Sequence, residues 1–176
     1  MFIVISGTPG TGKTIIAKRV AGMLRAKLLT TNLLVKKYKI PTTLDKKRKT
    51  KIIDTRKLAA AAKCEAKKYE NCVFEGHLAH FTHADLTIIL RTSPSELERR
   101  LKKKGWSERK IKENVEAEAM GIISGEVKNA IEIDTTRKSP KSVTLLILKL
   151  LNSCSLQRKY SKKIDWSKQY VAFLKR

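Results

Sequence analysis

The sequence predicts an α/β fold, a parallel sheet of roughly five strands with helices on both faces. Three observations carry that expectation. Short β-branched and aromatic runs alternate along the chain with longer segments of helical periodicity. A glycine-rich turn, GTPGTGKT from Gly7, joins the first apolar run directly to the first helical one. The length, 176 residues, suffices for one well-cored domain with small inserted segments.

Taken in order, Phe2 to Ile5 reads as a buried strand, and Ile16, Ala17, Val20 and Leu24 then recur at helical spacing. Lys27 to Thr30 gives a second short strand. From Thr31 to about Ile53 the chain is basic, holds Pro41 and lacks a clean period, which reads as an irregular insertion or small mobile arm. DTRKLAAAAKCEAKKYE, from Asp54, is rich in helix formers. CVFEGH gives a third strand ending in an acid, and DLTIILR a fourth with Arg91 at its carboxyl end. SPSELERRLKKKG opens on an N-cap serine, Ser93 or Ser95, and forms a helix that Gly105 ends. SERKIKENVEAEAMGIISGEV repeats the device behind Ser107. NAIEID is a fifth strand and SVTLLILKLL a closing helix, and the last twenty or so residues read as a separate basic appendage. The chain is thereby expected to divide into a domain over residues 1–151 and a basic C-terminal extension over 152–176.

The turn at Gly7 fits G-x-x-x-x-G-K-[ST] through Gly7, Gly12, Lys13 and Thr14, and it lies between strand and helix as a phosphate-binding loop must. The expected architecture is therefore a P-loop NTPase fold. Glycines at 7, 10 and 12 let the backbone approach a ligand, and successive N–H groups with the helix dipole behind them suit phosphate. Lys13 would reach the β- and γ-phosphates, and the Thr14 hydroxyl would coordinate Mg²⁺. In parallel sheets ligands bind at the carboxyl ends of strands, which here hold the phosphate loop, Glu75, Arg91 and Asp134. Glu75 follows a buried strand, where an acid can hold Mg²⁺ through water or position the attacking group, and His77 sits at the rim of the same site. KKKGWSERKIKENVEAE places two helices around a Gly-aromatic hinge crowded with cations, the composition of a lid that closes over triphosphate. No N-K-x-D guanine motif occurs, and the chain is too short for an AAA-type motor with its helical lid. A small kinase remains.

Composition adds a second theme. Lysine and arginine number 39 against 16 acids, net +23, with runs at VKKYKIPTTLDKKRKTK, ERRLKKKGW and QRKYSKK. Such a field attracts RNA or ribosomal surfaces. Aromatics are few and no RRM-type signature appears, so contact with nucleic acid would be mostly to phosphates and salt-sensitive. Cys64, Cys72 and Cys154 show no CxxC spacing and suit a reducing compartment, the cytoplasm. His77, His80 and His83 lie three apart but have no helical face to gather them on a metal. No apolar run approaches the ~20 residues that span a bilayer, and no signal peptide precedes the first strand.

GTPGTGKT, FEGHLAHF, LRTSPSELERRLKKKGWSERKIKENVEAE and the late IDWS together resemble the archaeal adenylate kinase family, relatives of the nuclear adenylate kinase that assists maturation of the small ribosomal subunit. The resemblance runs from about Met1 to Leu151 and is strongest in the phosphate loop and lid. It implies a broad-specificity nucleoside monophosphate kinase that also hydrolyses ATP, and transient binding to ribosomal protein uS11 and small-subunit rRNA during late maturation. It implies ATP contacts from Gly10, Gly12, Lys13, Thr14 and Ile15, a monophosphate-binding arm over residues 30–53 and a lid over 103–113. Glu75 and His77 fall at the family's Walker B-like acid and active-site histidine. Where the family commonly has Arg-Gly-Tyr, this lid has Lys104-Gly105-Trp106, a point charge in place of a bidentate fork. Where relatives' arms are often acidic, this one reads LDKKRKTK.

Two functions are expected from these features. One is phosphotransfer from ATP-Mg²⁺ to a nucleoside monophosphate, AMP foremost, carried by positioning and charge neutralisation. The other is an assembly factor whose ATPase cycle changes its grip on a ribosomal protein or RNA. A small-metabolite kinase on the same fold is a third reading.

Overall fold

The computed structural model describes residues 1–45 and 50–175. β1 (Phe2–Gly7) runs through the glycine turn into α1 (Lys13–Met23), and β2 (Lys27–Thr30) follows. Next come α2 (Thr31–Lys37) and an antiparallel hairpin of β3 (Thr42–Asp45) and β4 (Thr50–Ile53), with Thr42 opposite Ile53. This segment is therefore a helix and a hairpin, where the sequence reads as irregular; the basic residues 46–49 lie outside the described residues. α3 (Thr55–Ala66) leads to β5 (Cys72–Glu75), a 3-10 turn at Ala79–Phe81, and β6 (Leu86–Arg91). α4 (Pro94–Lys103) and α5 (Glu108–Ala119) meet at Gly105, whose positive φ of 70° makes the hinge. Ser93, not Ser95, precedes α4, and Pro94 occupies its first turn. α6 (Ile122–Gly125), β7 (Ile131–Asp134), α7 (Pro140–Leu151), α8 (Cys154–Tyr160) and α9 (Ser167–Leu174) complete the order.

Five strands form one parallel sheet in the order β2-β5-β1-β6-β7. The alternation along β1 explains the layers. Ile3 and Ile5 face a core shared with Ile16, Ala17 and Val20 of α1 and Val143, Ile147 and Leu150 of α7. Val4 faces the opposite core, with Leu29, Phe74 and Leu58, Ala61, Ala62 and Ala66 of α3. The alanine-rich α3 suits close packing on the sheet, and its N-terminus is capped by Asp54, whose carboxylate accepts from the amides of Arg56 and Lys57.

Glu65 joins α3 to α2. Lys37 Nζ (2.8 Å), Tyr38 Oη (2.7 Å) and Lys68 Nζ (3.0 Å) all donate to this buried carboxylate. Lys37 above all, then Tyr38 and Lys68, draw its carboxyl from about 4.5 down to about 2. The unfolded chain takes up the proton first on acidification, so this contribution to stability is full above pH 4.5 and drains away as pH falls toward 2. Urea midpoints measured from pH 6 to pH 2.5 should decline, and Glu65→Gln should flatten part of that decline; parallel curves for variant and wild type would contradict this account of Glu65.

The C-terminal segment is folded back onto the domain and is not a separate appendage. Ile164 N donates to Glu132 Oε2 (2.7 Å) on β7, Lys163 Nζ donates to the Ser124 carbonyl (2.9 Å), and Trp166 is buried. Tyr170 and Phe173 of α9 then pack on Leu97, Leu101, Ile111 and Val115 of the α4–α5 hairpin. In sequence, the lysines around these four apolar anchors mask them. No helix among the described residues is long and apolar enough to cross a membrane.

Candidate nucleotide site

From β1 the chain crosses to β2 on one side of the sheet, and after β5 it crosses to β6 on the other. Strands diverging from a central one leave a crevice beyond its carboxyl end, and the phosphate loop occupies it. The loop's shape depends on missing side chains. Gly7 has φ +140°, and a Cβ there would lie 2.3 Å from the Leu90 carbonyl oxygen; at Gly10, φ +99°, it would lie 2.6 Å from Leu97 Cδ1. The Thr8 carbonyl gathers the loop, accepting from the Thr11 amide (3.2 Å), the Thr11 hydroxyl (2.9 Å) and Lys13 Nζ (3.1 Å). Lys13 is buried, and burial pushes its ammonium from 10.5 down to about 8, with Glu75 opposing and Lys104 adding to the depression. A buried cation held so far below its ordinary range is stabilised by an anion placed beside it.

Thr14 Oγ1 donates to Glu75 Oε2 at 3.3 Å, so a hydroxyl and a carboxylate stand side by side at the mouth of the loop. These are hard oxygen donors of the kind Mg²⁺ accepts, and they fit that ion. Gly76 follows Glu75 because a Cβ there would lie 2.2 Å from Thr31 Oγ1 on α2. His77 stands at the rim. The Ser6 hydroxyl donates to its carbonyl (3.3 Å), and partial desolvation, then Lys13 and His80, hold its ring below the ordinary histidine range. His80 is committed elsewhere, with Ser6 Oγ 3.0 Å from Nδ1 and Glu126 Oε2 2.8 Å from Nε2. Among the described residues no cluster of three or more His, Cys, Asp and Glu side chains is arranged to hold a metal.

Gly10, Gly12, Lys13, Thr14, Ile15, Glu75, His77 and Lys104 all line one cleft of about 1150 Å³. Two residues expected at the sheet's ligand-binding edge do not belong to it. Arg91 is buried, with Nε 2.8 Å from Glu118 Oε1 and Nη1 2.9 Å from Glu132 Oε2, so its charge serves an internal network. Asp134 Oδ1 accepts from Thr136 N (2.7 Å) and shapes the turn after β7. The rest of the lining comes almost wholly from the two segments expected over residues 30–53 and 103–113, though most of these side chains were not singled out from the sequence. Thr30 comes from the end of β2, Thr31, Asn32 and Lys36 from α2, Thr42 and Ile53 from the hairpin, and Trp106, Lys110, Glu113 and Asn114 from the α4–α5 hinge and α5. The spacing of Lys110, Glu113 and Asn114 on an amphipathic helix was a readable signal for one wall; for the other the signal was the irregular insertion after the second strand.

Fold and site define the class: a P-loop α/β domain with α2 and the β3–β4 hairpin on one side of its cleft and the α4–α5 hairpin on the other. The family model described as an AAA domain matches residues 3–121. The chain is 37% identical over 175 residues to the "Putative adenylate kinase" of Pyrococcus furiosus, covering 97% of this chain and 93% of that one. It is 32% identical over 177 residues to the protein of that name from Methanocaldococcus jannaschii, covering 99% and 97%. The chain belongs to this archaeal adenylate kinase family. Among solved structures, a deoxyadenosine kinase from M. mycoides matches with TM-score 0.58 at 19% identity, over 86% of this chain and 99% of that one. A shikimate kinase from Acinetobacter baumannii matches with TM-score 0.60 at 16% identity, over 88% and 94%. These two share the fold.

Proposed function

We propose that the protein is a broad-specificity nucleoside monophosphate kinase of the adenylate kinase type, passing the ATP γ-phosphoryl group to AMP or another monophosphate. One observation carries this reading: a single cleft joins the phosphate loop and its buried lysine to a separate polar floor built by α2 and the hairpin. That is room for a donor and an acceptor face to face. The family, whose members carry the adenylate kinase name, supports the same conclusion.

In this mechanism the loop amides and Gly10, Gly12, Lys13, Thr14 and Ile15 bind ATP. Thr14 and Glu75 hold Mg²⁺, which when bound neutralises charge on the phosphates. The acceptor enters over residues 30–53, and the lid, residues 103–113, brings Lys104 toward the transferring group. An acceptor phosphate oxygen attacks the γ-phosphorus, the bond to the β–γ bridging oxygen breaks, and ADP leaves with the electron pair while the acceptor becomes a diphosphate. The residues contribute alignment and charge, with Lys13 stabilising the leaving β-phosphate and His77, neutral at the rim, orienting the acceptor. The domain of residues 1–151 performs the chemistry, and the basic segment 152–176 supports the lid.

A second reading, mainly an ATPase assembly factor with little monophosphate kinase activity, is favoured by the net charge of +23. In it the protein binds ribosomal protein uS11 and small-subunit pre-rRNA in the cytoplasm during late maturation, and water takes the phosphoryl group. The test is an acceptor series of AMP, CMP, GMP and UMP with ATP, run beside sedimentation with small-subunit particles. The kinase reading expects diphosphate of at least one acceptor. No diphosphate from any of them, with particle binding that changes between ATP, ADP and no nucleotide, would replace it by the assembly reading.

A further inference from the structure

α5 turns Lys110, Glu113 and Asn114 toward the cleft, and Glu118 follows Asn114 by four residues, on the same stripe of the helix. Glu118 is 2% exposed. Its Oε1 accepts from Arg91 Nε (2.8 Å) and from the Thr92 amide (3.0 Å), and its Oε2 accepts from the Thr8 hydroxyl. Thr8 is the phosphate-loop residue whose carbonyl holds both Thr11 and Lys13 Nζ. One residue of the loop is thus gripped from the lid helix through its side chain and grips the buried lysine through its backbone.

We infer that Glu118 is a positioning residue for phosphoryl transfer: by holding Thr8 it fixes the carbonyl against which Lys13 is aimed, and it ties the phosphate loop to the helix that carries the lid. The inference rests on the phosphoryl-transfer reading above. A carboxylate present only to neutralise Arg91 would not need Thr8, since Arg91 also meets Glu132 Oε2 at 2.9 Å. Both oxygens of Glu118 are used, one toward the sheet and one toward the loop, which makes it a brace between them. Because Lys13 is pinned at 3.1 Å by a carbonyl, a shift of that carbonyl moves the ammonium with it. Misplacement by about an ångström is enough to cost on the order of a hundredfold in rate.

Three single substitutions and one double variant test it. Thr8→Val deletes the hydroxyl at constant volume, Thr8→Ser keeps it with less volume, and Glu118→Gln removes the charge. ADP formation from ATP and the best acceptor should show kcat down by about ten- to a hundredfold in Thr8→Val with KM for ATP changed less than about threefold. Thr8→Ser should stay within about threefold of wild type, and the Thr8→Val/Glu118→Gln double variant should be no worse than its worse parent. Glu118→Gln also weakens the pairing of buried Arg91; if it does not fold, the two Thr8 variants decide alone. Wild-type kcat in Thr8→Val, or an equal loss in Thr8→Ser and Thr8→Val, overturns the inference. If the wild-type protein turns over no nucleotide, the phosphoryl-transfer reading fails by itself. Positioning is then read from the rate at which an amine-reactive reagent labels Lys13 in nucleotide-free protein: faster in Thr8→Val than in wild type and Thr8→Ser supports it, and equal rates overturn it.

Discussion

Lys13→Met is expected to abolish nucleotide turnover and, in the same protein, to raise the unfolding temperature of the nucleotide-free state. The loss follows from chemistry. Lys13 is the cation of the phosphate loop, and removing a charge aimed at developing negative charge costs at least about a hundredfold in rate. The gain follows from burial. The folded protein keeps this ammonium out of water, and its pKa drops from 10.5 to about 8. At about 1.4 kcal/mol per unit, that corresponds to roughly 3 kcal/mol of penalty. The sign runs one way: below pH 8 both folded and unfolded chains carry the proton and the folded one bears the cost. Between pH 8 and 10.5 the folded chain releases it first, so wild-type stability recovers. The advantage of Lys13→Met should therefore be full at pH 7 and gone near pH 10.5, as read by thermal unfolding across that range. A variant less stable than wild type at pH 7 would show that Lys13 is not a burdened cation awaiting phosphate.

Arg91→Met is expected to have the largest effect on stability, a loss of about 3–5 kcal/mol in urea unfolding, because removing one partner of a buried ion pair leaves charge uncompensated. Here the partners are two. Glu118 on α5 and Glu132 on β7 both lose their closest cation, and the Ile164 carbonyl of the C-terminal segment loses a donor at 3.0 Å. The same change should loosen the C-terminal segment, so limited proteolysis after residue 160 should quicken. A loss below about 1 kcal/mol would mean that water enters and replaces the guanidinium.

Arg91 also shows where sequence reading stops. A strand's carboxyl end is the right place for a ligand-binding residue, and nothing in DLTIILR says that two acids 27 and 41 residues later will claim its charge. Pairing between distant residues is set by the fold. The phosphate loop, by contrast, was legible in full, since its chemistry depends on neighbours in sequence: the glycine conformations, Lys13 and Thr14 occur within eight residues. Glu75 and Lys104, which line the same cleft, each sit beside a local signal, a buried strand end and a glycine hinge. The 30–53 side of the cleft was legible as a segment and not as a structure. PTTLDKKRKTKII alternates too weakly to announce a hairpin: Leu44 and Ile52 are exposed, and of its described residues Ile53 alone packs on the core that α3 shares with the sheet. The C-terminal segment was hidden for a related reason. Its apolar anchors Ile164, Trp166, Tyr170 and Phe173 are spaced through a lysine-rich string whose charge dominates any window average.

The central claim is that this cleft passes phosphate from ATP to a monophosphate. It is met most directly by following ADP and free phosphate together as purified protein turns over ATP with and without AMP. ADP formation that rises with AMP, without matching free phosphate, is the expected result. Free phosphate released at the same rate whether or not AMP is present would contradict it and make water the acceptor.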